Sequence, residues 1–348
     1  MVFEGRQYSN RAYNDELSAS FREGPQNGGE CQMEAKIRLG ISSCLLGNAV
    51  RYDGGHKLDR FLTDTLGRYV DYVPVCPEVE CGMSIPRESM RLEGNPDSPR
   101  LVTTRTKIDK TEQMLGWAER RVAELGKEGL MGFIFKSDSP SSGMERVKVY
   151  NEKNMASKTG IGMFARVFIR HFPLLPVEEE GRLHDPVLRE SFIERIFVLA
   201  RWREILAGDG SRGSLVAFHT KHKLLILSHS NRHYQEMGKL VAGAKQIPRQ
   251  KLFDEYQKQL MEGLKIKATP KKNSNVLMHM AGYFKDQLSS DEKAELIEII
   301  ELYRKELIPL IVPITLVNHY VRKFRQPYLA DQYYLRPHPI ELQLRNHV

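Results

Sequence analysis

The sequence has no long apolar run. The longest, Leu307 to Val317, carries two prolines and falls short of the ~20 residues a membrane-spanning helix needs. An integral helical membrane protein is therefore excluded. Cysteine is scarce: four in 348 residues cannot make a disulfide framework in a chain of this size. No internal repeat is visible. The first 35 residues lack the apolar core of a secretory signal. They are polar and aperiodic, and read as a disordered extension (1–35) in which Cys31 is incidental and Met33 is an alternative start.

What is present is unevenly spread. The net charge is +8, yet residues 1–189 hold 27 basic and 27 acidic residues, whereas residues 190–348 hold 25 and 17. Eight of the eleven histidines also lie after residue 190, while all four cysteines lie in the first quarter. The chain reads as a neutral, cysteine-bearing module joined to a basic, histidine-rich one.

The pattern from Ile37 onward is α/β. Ile37–Ser42 and Tyr72–Cys76 read as strands, with a helix expected between them over Leu58–Tyr69. Ser89–Glu93 and Leu101–Arg105 form an expected hairpin around Gly94-Asn-Pro-Asp-Ser-Pro. Thr111–Leu125 places apolar residues at helical spacing, and Leu130–Phe135 is a continuous apolar run of the kind a buried strand shows. Val147–Tyr150 is a further strand, and Gly160–His171 a helix closed by Pro173. Strands alternating with helices predict a Rossmann-like three-layer module with a mostly parallel sheet over 36–172. The stretch 173–187 reads as a linker and 188–348 as an all-α domain, with a long helix running from the N-cap and first-turn proline Asp185-Pro186 to about Leu206 and further helices over 214–227, 231–244, 248–266, 274–288 and 290–307.

Three loops concentrate the chemistry, each at the C-terminal end of an expected strand, where open parallel sheets bind ligands. They are Ser42–Lys57 with Cys44, Pro74–Arg87 with Cys76 and Cys81, and Lys136–Arg146 with Ser139-Pro-Ser-Ser-Gly143.

These loops resemble the thiouracil desulfurase (TudS) family, whose pattern is S-x-C-L-x-G-x-x-x-R-Y-D-G, then V-C-P-E with a trailing P-R, then K-x-x-S-P-S-C-G. The resemblance covers about residues 36–160. The order of modules, with the ending Pro327-Tyr-Leu-Ala-Asp-Gln-Tyr-Tyr-Leu-Arg-Pro-His-Pro, is similar to the long YbgA-like members, which are associated with removing sulfur from 4-thiouridine in RNA. The resemblance implies a 4Fe-4S cluster held by three cysteines with one iron open. It implies a hydrolytic, non-redox reaction in which water attacks the thiocarbonyl carbon. The third family cysteine falls on Ser142, a poor cluster ligand. Cys81 is the proposed replacement, giving Cys44, Cys76 and Cys81. The competing reading is that the cluster is lost and Cys81 is a small buried residue.

The same resemblance points to Glu78 as general base, the alternative being a carboxylate that caps a turn. It points to Ser139, ahead of Ser141, as the reactive-centre hydroxyl, the alternative being an ordinary helix-start turn. Arg51 and Asp53 either bind the polar edge of a pyrimidine or pair with each other. Lys136 is a candidate contact to substrate or phosphate.

In the second module, His219, His222, His229 and His233 share a face if their helix is unbroken, but Ser228-His-Ser-Asn231 reads as a break, which disfavours a metal site. Lysines and arginines from Lys221 to Lys272, with Tyr234, Tyr283, Tyr320, Phe324, Tyr328, Tyr333 and Tyr334, suit RNA. The expectation is a cytoplasmic iron–sulfur desulfurase acting on thiolated uridine in RNA, tRNA included, or its fragments, its helical module contacting substrate or forming a homo-oligomer interface. The rivals are a desulfidase of free thiobases or nucleosides, and a non-enzymatic RNA-binding protein with a structural metal site.

Overall fold

The computed structural model describes residues 37–347, so the expected extension 1–35, with Cys31, lies outside the described residues. The chain divides into two compact units between Asp185 and Pro186.

The first unit has strands β1 (Ile37–Ser42), β2 (Val70–Val75), β3 (Met90–Glu93), β4 (Arg100–Thr103), β5 (Phe133–Phe135), β6 (Val147–Tyr150), β7 (Ala156–Gly160) and β8 (Val177–Glu179). Its helices are α1 (Pro77–Glu80), α2 (Thr111–Gly126) and α3 (Met163–His171). The expected α/β class followed by an all-α part is what the chain adopts, but the strands divide into two sheets. One is wholly parallel, in the order β2-β1-β5-β8. The other is mixed, in the order β4-β3-β6-β7, and holds the expected hairpin. The parallel sheet changes direction of winding between β1 and β5. The loops leaving β1, β2 and β5 therefore open at the crevice where such sheets bind ligands.

Three local expectations give way. Leu58–Tyr69 is not a regular helix but a π turn at Phe61–Thr65 followed by a 3-10 turn at Leu66–Arg68. Asp59 Oδ1 accepts from the Leu62 amide at 3.1 Å, and the Tyr72 hydroxyl donates to the Leu62 carbonyl at 2.8 Å. Local side-chain bonds of this kind compete with regular helical pairing. Residues 156–160 form an edge strand, so the helix expected from Gly160 starts at Met163. The supposed linker 173–187 contains β8, which pairs in parallel with β5 from Phe133↔Val177 to Phe135↔Glu179.

Phe133, Phe135, Phe164, Phe168 and Phe172 pack as one cluster between the parallel sheet and α3, the closest ring pair being Phe133 and Phe135 at 4.4 Å. Burial of rings at this density is the main stabilising term of the unit.

The second unit comprises α4 (Pro186–Ala207), α5 (Arg212–His229), α6 (Asn231–Ala242), α7 (Arg249–Lys265), α8 (Pro270–Ala281), α9 (Ser290–Arg304), α10 (Ile311–Lys323) and α11 (Pro327–Ala330). Its starts are written in the sequence: Ser211, Ser230 and Thr269 each cap a helix with a side-chain oxygen, and Ser289 with Glu292 forms a capping box. The core is built on Trp202, stacked on Tyr256 at 5.0 Å and bonded through Nε1 to Gln257. No helix among the described residues is long and apolar enough to cross a membrane.

Gly162 governs how the third loop meets α3. A Cβ there would lie 2.6 Å from the Ser141 carbonyl, while its amide donates to Gly143 O at 2.8 Å. Overpacking at such a contact costs about 1–3 kcal/mol. Gly162→Ala is expected to lower the urea midpoint of unfolding correspondingly; an unchanged midpoint would show that the loop can yield.

Candidate active site

A cavity of about 340 Å³ opens at the C-terminal ends of β1, β2 and β5, and its walls include Cys44, Cys76, Glu78, Ser139, Ser142 and Arg87. Ser43–Leu46 makes a single 3-10 turn after β1, and Gly47 ends it at φ 89°, a left-handed conformation that glycine adopts without strain. This turn sets Cys44 in the wall. Burial pushes its thiol up to about 11, against the opposing charge of Lys136. Cys76 is the first residue beyond β2, and its amide donates to Glu80 Oε1 at 2.8 Å. Its thiol lies 3.6 Å from Glu78 Oε2 and 3.8 Å from Val50 O. Burial, reinforced by the Glu78 charge, pushes it up to about 12.

Cys81 is placed differently. It caps the C-terminus of α1, is not among the residues lining the cavity, and its thiol donates to the Glu78 carbonyl at 3.3 Å. Gln113 Nε2 holds the Cys81 carbonyl at 2.8 Å. Ser142, by contrast, is in the wall and 3 % exposed. The cavity thus presents two thiols and a serine. Among the described residues, no group of three or more histidine, cysteine, aspartate or glutamate side chains is arranged to hold a metal ion. Cys44 and Cys76 fit the soft-donor chemistry of an iron–sulfur cluster; Cys81 is not part of the same wall.

Glu78 sits where the loops meet. Its Oε1 accepts a short hydrogen bond from Ser141 Oγ, and Ser141 Oγ lies 2.9 Å from Ser139 Oγ. An ionised carboxylate only accepts. Ser141 therefore donates to Glu78 and accepts from Ser139. The result is a relay, Ser139 to Ser141 to Glu78, with Ser139 and Glu78 at the wall and Ser141 fully buried. Ser139 Oγ also accepts from the Ser142 amide at 3.1 Å, so it caps the turn as well.

The expected substrate contacts are largely committed elsewhere. Lys136 Nζ lies 2.9 Å from Ser137 O, 3.1 Å from Ser137 Oγ and 2.6 Å from Glu180 Oε1, which occupies its three donors. Arg51 Nε lies 3.7 Å from Asp53 Oδ1, and Asp53 accepts from the Gly55 amide at 3.0 Å without lining the cavity. Arg51 does line it. The pair shapes the first loop.

The acidic run that ends β8, Glu178 to Glu180, was hidden by its linker-like composition. Glu179 accepts from the amides of Met144 and Glu145 at 2.7 and 3.3 Å, and burial raises its pKa. Glu180 accepts from the Ser137 amide at 2.7 Å. The two carboxylates brace both ends of the third loop. The available signal was three acids directly following a short apolar segment, at the edge where the loop's amides needed acceptors. Arg87 was visible only as the end of the second motif.

In the second unit the four histidines are individually engaged. His219 Nδ1 meets Tyr256 OH at 3.1 Å, His222 Nδ1 meets Phe218 O at 2.8 Å, His229 lies between Ile266 O and Glu194, and His233 Nδ1 meets Ser230 Oγ at 2.9 Å. The helix breaks at Ser230, as the sequence indicated. Of the aromatic residues, Tyr320 and Tyr334 are core, whereas Tyr283 is 44 % exposed and stacked on Tyr328 at 5.1 Å, with Lys223 Nζ 4.9 Å from the Tyr328 ring centre.

The first unit is thus an α/β module with two thiols, a carboxylate and a serine loop at the strand edge where such sheets bind ligands, and the second is helical. Residues 39–180 match the family model described as 2-thiouracil desulfurase, and residues 223–339 match one described as a protein of unknown function, DUF1722. The uncharacterized protein YbgA of Escherichia coli (strain K12) is 30 % identical over 158 residues, 45 % of this chain and 94 % of that protein. The chain therefore belongs to the YbgA family and carries a thiouracil desulfurase-type module before its helical module. A solved structure of TudS, a 4Fe-4S-dependent thiouracil desulfidase, is 29 % identical and covers 45 % of this chain and 99 % of its own, with a TM-score of 0.37.

Removing Glu180 would leave the Lys136 ammonium, 17 % exposed, without its carboxylate. Breaking one side of such a pair costs about 3–5 kcal/mol when buried. Glu180→Ala is expected to approach the lower end, with Lys136→Met/Glu180→Ala losing less than Glu180→Ala alone in urea unfolding.

Proposed function

We propose that the chain is a hydrolytic desulfurase of thiolated uracil or 4-thiouridine. Thiolated RNA or its fragments would be the substrate, and a 4Fe-4S cluster the cofactor. The observation that carries this reading is the cavity wall itself. Cys44, Cys76, Glu78 and Ser139 stand together there within the segment matching the desulfurase family model. Cys44 and Cys76 would hold the cluster, with Cys81 the proposed third ligand once its thiol leaves the Glu78 carbonyl. When bound, the cluster supplies a soft Lewis acid matched to a thiocarbonyl sulfur.

The chain's own residues account for the proton chemistry. Glu78 takes a proton from the attacking water, as a positioned carboxylate at the wall is able to do. Ser141 keeps one carboxylate oxygen occupied and leaves the other toward Cys76. Ser139 and the amides of its loop offer donors near the carbon that gains charge. Overall, C=S and water become C=O and hydrogen sulfide, with no change of oxidation state. Unpaired thiols suit a reducing compartment, the cytoplasm.

RNA as the form of substrate is favoured by a specific feature of the second unit. Exposed Tyr283, stacked on half-buried Tyr328 with Lys223 against that ring, combines a π surface and a cation, the pairing that single-stranded nucleic acid uses. The +8 charge carried by residues 190–348 has the sign for phosphate.

Anaerobic reconstitution with iron and sulfide, followed by sulfide release from 4-thiouridine and from thiolated tRNA, tests the reading. Turnover, with a larger kcat/KM on tRNA, is expected. A colourless, zinc-loaded protein without sulfide release overturns it. Iron content tests the ligands separately: Cys81→Ser should lose iron, and Cys81→Ser/Ser142→Cys should recover it, because Ser142 is already in the wall. Full iron in Cys81→Ser removes Cys81 from the ligand set.

A further inference from the structure

We infer that Arg87 is the positioning residue of this site, acting through Glu78. The inference rests on the desulfurase reading for its chemistry, but the geometry stands independently. Arg87 closes the second loop, and its side chain is only 9 % exposed. Its backbone amide donates to Tyr52 O at 2.8 Å. Nη1 and Nη2 both donate to Val50 O, each at 3.1 Å, and Nη1 lies 3.4 Å from Ser84 O. Nη2 stands 3.7 Å from Glu78 Oε2. One guanidinium thus ties the first loop to the second and faces the carboxylate.

Both acceptors it holds flank the same sulfur. Val50 O is 3.8 Å and Glu78 Oε2 3.6 Å from Cys76 Sγ. Ser141 fixes the other oxygen, Oε1. The carboxylate is therefore gripped from two sides: a neutral hydroxyl on the third loop and a cation on the second. That fixes its rotation about the Cγ–Cδ bond and decides which oxygen faces the cavity.

The arrangement is poor as a device for stability alone. The guanidinium has one carboxylate neighbour at ion-pair distance and no bidentate fork, and Nε is buried without a hydrogen-bond partner. A buried unsatisfied donor costs about 1–3 kcal/mol, and such groups call for a reason other than packing. Placement of Glu78 supplies one. Lysine cannot substitute, because a point charge cannot hold Val50 O with two nitrogens while facing Glu78.

The test is a double-mutant cycle on the reconstituted full chain, comparing wild type, Arg87→Ala, Glu78→Gln and the double variant. A misplacement of about 1 Å near reacting groups costs about a hundredfold. Arg87→Ala is expected to lose that much kcat, with KM moving less than about threefold, the pattern of an interaction needed after binding. In the Glu78→Gln background the same change should cost almost nothing further, a coupling that general loosening of the fold does not produce. Arg87→Lys should stay about tenfold below wild type, since it keeps the charge but not the two-nitrogen hold on Val50 O; it also serves if Arg87→Ala fails to fold. Equal losses in both backgrounds, an unchanged kcat, or full recovery by Arg87→Lys overturn the inference. If wild type releases no sulfide, the desulfurase reading fails by itself. A crystal structure of Arg87→Lys then decides the positioning role: a displaced Glu78 carboxylate supports it, and an unmoved one sinks it.

Discussion

The backbone amides of the third loop need acceptors, and the carboxylates at the end of β8 and just beyond it provide them. Glu180 receives the Ser137 amide at 2.7 Å and Glu179 the Met144 amide at 2.7 Å, one at each end of the loop. Without those bonds the segment that carries Ser139, Ser141 and Ser142 would leave polar groups buried and unpaired, at a cost of about 1–3 kcal/mol each. The parallel pairing of β8 with β5 is what brings the carboxylates there. A short edge strand therefore supports the reacting loop, although none of its own residues lines the cavity.

From that fixed loop the rest of the site follows in sequence. Ser141, immobile and fully buried, presents its hydroxyl to Glu78. Glu78 lies two residues beyond Cys76 at the start of α1, so orienting the carboxylate also fixes the turn that carries the thiol. Glu80 on the same turn closes back on the Cys76 amide and pairs with Arg121 from α2 at 3.0 Å. The short helix is thereby tied to both the sheet and the helical layer. Four residues are too few to be stable as an isolated helix, and these side-chain bonds take the place of length.

Much of the fold was legible because its signals are local. The period of Thr111–Gly126 and the hairpin around Gly94 each depend on neighbours within a few residues. The three loops were legible for the same reason, since strand ends and motifs coincide. What escaped notice was set by partners distant in sequence. Glu179 and Glu180 sit 34 to 43 residues from the groups they bind, and their acidic composition looks like a solvated linker until the sheet brings them home. Lys136, a candidate contact to substrate or phosphate, has its carboxylate partner Glu180 in that same stretch. In place of the Leu58–Tyr69 helix stand a π turn and a 3-10 turn, with Tyr72 of the next strand donating to the Leu62 carbonyl.

The position of Cys81 shows where a motif and a fold part company. By spacing alone, five residues from Cys76, it is a natural replacement for the thiol missing at Ser142. The turn of α1 spends that spacing differently: Cys81 becomes the residue that closes the helix, with its thiol on the Glu78 carbonyl and its own carbonyl on Gln113. For Cys81 to become a ligand, the hydrogen bond to the Glu78 carbonyl must break, and that carbonyl belongs to the residue whose side chain faces the cavity. Ligand capture by Cys81 and orientation of Glu78 are therefore mechanically linked. A thiol at position 142 would be free of that link, because Ser142 reaches the wall through a loop braced from β8 and α3. In this chain, then, the Cys81 thiol and the Glu78 side chain are joined through one backbone carbonyl, whereas position 142 stands on a different loop.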